Sequence, residues 1–186
     1  MQEPKWAQCT EEELWKFVAY HLAKVDIASV LVGGAVVSVY SKGLYRSGDV
    51  DLVTYEHSHK ELDRIMNQIG FKKNGMHYRH PECKHLYVQS VSGPLGIGDD
   101  HKIIPRTITV EGKEIRILTP TDCIRDRLSA YIHDRARACL TQAALVANTQ
   151  AFSSTKIKTW LKKEGFESAY NELLDEMKQL KNSSGS

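Results

Sequence analysis

The stretch Ser29–Val53, SVLVGGAVVSVYSKGLYRSGDVDLV, constrains this chain more than any other. An apolar run, Val30-Leu31-Val32, breaks at Gly33-Gly34, resumes from Ala35 to Tyr40, and returns as Asp49-Val50-Asp51-Leu52-Val53. The pattern predicts strand, glycine turn, helix and strand. Side chains alternate along a strand, so Asp49 and Asp51 project from one face while Val50 and Leu52 enter the core. Two carboxylates on one side of a strand repel each other and call for a cation. Mg2+ is the natural partner, a hard ion held by one or two carboxylates plus substrate phosphates. The Gly33-Gly34 turn supplies the other half of such a site. Glycine lets the backbone approach a ligand closely, and the following helix N-terminus offers unpaired N–H groups to phosphate.

Val32-Gly33-Gly34 followed by Asp49-Val50-Asp51-Leu52 resembles the signature of nucleotidyltransferases of the DNA polymerase beta superfamily. That signature runs hydrophobic, Gly-Gly or Gly-Ser, spacer, Asp-hydrophobic-Asp/Glu-hydrophobic. Arg46-Ser47-Gly48 leads into the first Asp as in small bacterial members of toxin and antitoxin type, and the spacer Ala35–Gly48, 14 residues, is slightly long for the family. The resemblance implies an α/β (α+β) nucleotidyltransferase fold, a small mixed β-sheet flanked by helices. It implies that Asp49 and Asp51 are catalytic and bind Mg2+ or Mn2+. It also implies that Gly33, Gly34, Arg46 and Ser47 contact a nucleoside triphosphate.

Composition sets the outer limits. With 186 residues and 41% hydrophobic content, the chain suits one core with a helical appendage and is too small for a multidomain polymerase. A net charge of +2 does not point to a dedicated nucleic-acid binder. The chain shows neither a signal-peptide pattern nor an apolar run of about 18 residues, so a cytoplasmic protein is expected. Cys9, Cys83, Cys123 and Cys139 form no CxxC pair and read as reduced thiols.

Two capping boxes mark helix starts, Thr10-Glu11-Glu12-Glu13 for a helix to about Lys24 and Ser58-His59-Lys60-Glu61 for one ending at Gly70. His21 reads as a packed histidine at the core edge. Phe71–Gly75 reads as a turn-rich entry to Met76–Pro81, His85–Val91 as a strand, and Ser92–Asp100 as a glycine-rich loop. Thr107–Val110 and Glu114–Leu118 flank a hairpin turn. From Thr119-Pro120-Thr121-Asp122 the pattern is helical to about Asn148, with a break near His133-Asp134. Helices over Thr155–Glu164, capped by Ser154, and Glu167–Leu180 follow. The expected organisation is a core over 1–118, a helical part over 119–181 and a flexible tail over 182–186.

The resembled superfamily carries a third acid on a neighbouring strand. Gly75–Gly98, Leu118–Cys123 and Asp126-Arg127-Leu128 resemble poorly characterised bacterial nucleotidyltransferase-like proteins whose strand before the Gly-Pro-Leu loop carries Glu. The matching residue here is Gln89, a neutral group that cannot act as a base. Asp99 or Asp100 could replace the acid, though a solvated turn is the simpler reading of that pair. In the resembled group an Asp-Arg/Lys pair approaches the cleft, which makes Asp126 and Arg127 candidates for supporting roles. His77, His80, Cys83 and His85 invite a zinc reading, but their spacing matches no common zinc module. A basic loop beside the nucleotide, with Arg79 and His80 facing phosphate, is the preferred expectation. His133-Asp134 reads as an oriented base or as a helix break.

The function expected is Mg2+-dependent transfer of a nucleotidyl group from a nucleoside triphosphate to a hydroxyl of a tRNA, a protein or a small molecule. The alternative is a nucleotide-binding or partner-regulating module that lacks the third carboxylate, with a protein partner in a toxin–antitoxin or phage-defence system. A pure interaction domain is the third reading.

Overall fold

The computed structural model describes residues 1–55 and 59–183. After a short 3-10 turn at Trp6–Gln8 comes α1 (Glu11–Ala23), started by the expected capping box. Thr10 Oγ1 accepts from the Glu13 N–H at 3.2 Å, and the Glu13 carboxylate accepts from the Thr10 N–H at 2.8 Å. Leu14, Trp15, Phe17, Val18 and Leu22 form its buried face. The next elements match the strand, turn, helix and strand read from the sequence: β1 (Ser29–Val32), α2 (Gly33–Tyr40) and β2 (Asp49–Thr54).

The chain then forms α3 (His59–Gln68), β3 (Lys72–Asn74), β4 (His77–Arg79), β5 (Tyr87–Ser92), β6 (Arg106–Val110) and β7 (Lys113–Ile117). The Ser58 cap expected for α3 lies outside the described residues. The strands make one mixed sheet in the order β3-β4-β5-β2-β1-β7-β6. The β3–β4 hairpin corrects the turn-rich entry expected there. Its strands have three residues each, too few for period-two alternation to be read. The β6–β7 hairpin turns at Glu111 (φ +46°) and Gly112 (φ +78°), the left-handed pair that a two-residue primed turn requires.

The register divides the sheet into two faces. Leu31, Val50, Leu52, Tyr78, Val88, Ile115 and Ile117 are buried on one. On the other, Val32, Asp51, Gln89 and His77 form a row across β1, β2, β5 and β4. Asp49 and Tyr87 form the adjacent row.

Four helices follow the sheet: α4 (Pro120–His133), α5 (Arg137–Thr149), α6 (Ser154–Glu164) and α7 (Ala169–Ser183). α4 and α5 pack on α2, and α7 packs on α5. The expected break falls at Asp134–Ala136, where Arg135 takes a left-handed φ of +56°. α6 is capped by Ser153, not Ser154, because the Ser153 hydroxyl accepts from the Lys156 N–H at 3.2 Å. α7 runs into the expected tail as far as Ser183, and residues 184–186 are not described. None of the described helices is long and apolar enough to cross a membrane.

One ion cluster ties the β5–β6 connection to α4 and α6. Arg125 is 1% exposed and donates to Asp122 at 2.8 Å and to Asp100, on the β5–β6 connection, at 2.6 Å. Lys156 of α6 donates to the same Asp122 oxygen at 2.8 Å. Removing one member of a buried pair strands the other charge. Asp122→Ala should therefore cost about 3–5 kcal/mol in urea denaturation, and Asp122→Leu/Arg125→Met should recover most of that loss.

Candidate active site

The turn from β1 into α2 brings backbone against carboxylate. Gly33 has φ +72°, and a Cβ there would sit 2.4 Å from Asp51 Oδ2, so any side chain would displace the carboxylate. A Cβ on Gly34 would sit 2.7 Å from Ser47 Oγ. Both glycines are required by contact with the residues that the sequence paired with them.

The two carboxylates are held differently. Asp49 accepts from the Ser47 hydroxyl at 2.8 Å and from the Tyr87 hydroxyl at 3.1 Å, one bond to each oxygen. Asp51 has no hydrogen bond or ion pair among the described residues. Burial, then the charge of Asp49, push its carboxyl up to about 6, against the pull of the Arg127 guanidinium and with a smaller push from Asp126. Arg127 is bound to Asp126 at 2.6 Å and reaches Gln142 at 3.4 Å, and Gln142 donates to the Tyr45 hydroxyl at 3.2 Å. Asp126 and Arg127, the candidates for supporting roles, thus both bear on the Asp51 carboxylate.

The loop before β2 is anchored by Glu11, which the sequence shows only as part of the first capping box. Glu11 is buried, and its carboxylate accepts from the Ser47 N–H at 2.7 Å and from Arg46 Nη1 at 3.0 Å. Arg46 keeps its side chain 66% exposed while bound there. Tyr87 also went unnoticed as a partner of Asp49, because only the strand pairing shows the two to be neighbours.

Gln89 lies beside Asp51 on the parallel neighbour strand, the position that the resemblance matches to the third carboxylate. Arg79 stacks over the Tyr87 ring at 4.6 Å, on the site face of the sheet. His80 is a correction. It follows β4 on the side of buried Tyr78 and stacks on Trp6 at 3.8 Å, away from the carboxylates. Asp100 is bound to Arg125, and the Asp99 N–H donates to Glu164 at 3.3 Å, so this loop is fastened elsewhere. His85 Nε2 lies 2.8 Å from the Cys9 carbonyl oxygen, Cys83 is buried, and His133 faces Glu164 at 3.0 Å. No group of three His, Cys, Asp or Glu side chains placed to hold a metal occurs among the described residues. Two adjacent carboxylates, one without a partner among the described residues, fit a hard cation that takes its other ligands from water and phosphate.

The proton on Asp51 is bound more tightly in the folded chain than in the unfolded one. Its protonated form therefore supports the fold below about pH 4, and that support is lost as pH rises through about 6. Asp51→Asn should gain up to about 3 kcal/mol over the parent near pH 8 and nothing near pH 3.5, read by urea denaturation. An equal difference at both pH values would show that Asp51 ionises normally.

No protein-family model matches this chain, and no curated protein matches it. Among solved structures, the chain is similar to an antigenic nucleotidyltransferase-like protein from Paracoccidioides brasiliensis, with 18% identity and a TM-score of 0.55. That alignment covers 87% of this chain and 92% of the other. A solution structure of the antibiotic-resistance factor ANT(2'')-Ia aligns at 12% identity over 90% of this chain and 93% of its own, with a TM-score of 0.45. A crystal structure of ANT(2'')-Ia in complex with adenylyl-2''-tobramycin aligns at 12% identity over 87% and 95%, with a TM-score of 0.46. The seven-stranded mixed sheet with its helices is a nucleotidyltransferase-like fold.

Proposed function

We propose that this chain binds a nucleoside triphosphate with Mg2+ and transfers the nucleotidyl group to a hydroxyl of an acceptor. The observation that carries the reading is the contact of the Gly33 backbone with Asp51, with Asp49 alongside on the same strand face. The first N–H groups of α2, beginning at Gly33 and Gly34, suit the phosphates. Asp49, oriented by Ser47 and Tyr87, and Asp51 would hold the ion. When bound, Mg2+ supplies charge neutralisation at the phosphates. The chain's own work is to orient the α-phosphate for in-line attack and to place the positive Arg127 beside the site. A tRNA, a protein side chain or a small molecule each fits this chemistry, since fold alone does not choose among them.

Gln89 favours a second reading. A neutral amide beside Asp51 leaves no third acid, as in a nucleotide-binding or partner-regulating module that no longer transfers.

Calorimetry with each of the four NTPs and Mg2+ tests the site. The parent should bind, and Asp49→Ala/Asp51→Ala or removal of Mg2+ should abolish binding. Binding that survives the double substitution would sink the reading. Transfer that appears only in Gln89→Glu, and never in the parent, would favour the second one.

A further inference from the structure

Gln89 leaves the site without an acid at the place where a proton would leave the attacking hydroxyl, and the next residue in the same row is a histidine. Asp51, Gln89 and His77 lie directly opposite one another on three successive strands of the site face. Adjacent strands are about 4.8 Å apart, so the Cα atoms of His77 and Asp51 are about 10 Å apart across Gln89. The imidazole is half-buried and inclined against the Tyr87 ring, with centroids 4.6 Å apart, and the Tyr87 hydroxyl is bound to Asp49. The aromatic contact therefore ties His77 to the carboxylate pair.

His77 Nδ1 is buried without a partner among the described residues. A desolvated ring nitrogen with no hydrogen bond is uncommon and calls for an explanation. His77 forms no three-ligand metal cluster with the aspartates.

We propose that His77 takes over, from the neighbouring strand, the general-base role that Gln89 cannot fill. This role rests on the nucleotidyl-transfer reading above. In the step, the acceptor hydroxyl oxygen bonds to the α-phosphorus, the bond from the α-phosphorus to the bridging oxygen breaks, and pyrophosphate leaves. The hydroxyl proton passes to the His77 imidazole, which is neutral at the start and cationic at the end. The charged and titratable groups facing His77 are Arg79 on β4, Lys72 on β3, Tyr87 on β5 and, beyond Gln89, Asp49 and Asp51 on β2.

Two measurements test this. In long-range 1H–15N spectra, His77 is assigned by its loss in His77→Gln. Adding the best-bound nucleotide, as its non-hydrolysable α,β-methylene analogue with Mg2+, should then shift the His77 ring nitrogens and leave those of His80, stacked on Trp6, in place. Calorimetric binding without a His77 shift overturns the base role alone, whereas absence of binding overturns the nucleotide reading and the base role with it. In the second measurement, pyrophosphate release is followed with glycerol as the hydroxyl donor. His77→Gln should keep the nucleotide affinity and release pyrophosphate about 10²–10⁴-fold more slowly. Gln89→Glu/His77→Gln should regain the rate. A parent that releases none, or a rate that His77→Gln leaves unchanged, overturns the proposal.

Discussion

The repulsion between Asp49 and Asp51, held on one face of β2, is the constraint that the surrounding structure serves. Asp49 is stabilised by two hydroxyl donors, whereas Asp51 is pressed against the Gly33 backbone with no donor of its own among the described residues. The fold keeps a carboxylate pair that it only partly neutralises, an arrangement that suits the proposed cation. The glycine turn makes this possible, since a Cβ at Gly33 would occupy the space of the Asp51 oxygen.

Three distant segments maintain that arrangement. Glu11 at the start of α1 fixes the loop that carries Ser47, and Ser47 in turn orients Asp49. β5 aligns Tyr87 and Gln89 with the two aspartates. Helix α4 sends two arginines to different partners. Residues two apart on a helix point about 200° apart. Arg127 therefore bears on the carboxylates while Arg125 is buried with Asp122 and Asp100.

The same row that places Gln89 beside Asp51 places His77 beside Gln89. A neutral amide at this position does not by itself decide between an impaired site and one whose base comes from the next strand. Sheet register, not residue type, brings the imidazole into consideration, and a buried nitrogen without a partner among the described residues distinguishes it from the other histidines of the 77–85 stretch. His80 and His85 are engaged by Trp6 and by the Cys9 carbonyl.

What the sequence determined by itself is local. Gly33-Gly34 and the alternation Asp49-Val50-Asp51-Leu52 specify a turn and a two-faced strand, because backbone freedom and period two act within a few residues. The Thr10 capping box and the Glu111-Gly112 turn were legible for the same reason. Tertiary structure alone decided the rest. Glu11 meets Ser47 across 36 positions and Tyr87 meets Asp49 across 38, separations over which no periodic pattern carries information. The β3 and β4 strands are too short to display a period, and they form by pairing, β4 against β5 and β3 against β4. His80 was misplaced because its face depends on that pairing, which sets it with Tyr78 on the buried side. Pairing between strands distant in the chain is a property of the whole sheet, so which residues surround the two aspartates became visible only once the sheet was assembled.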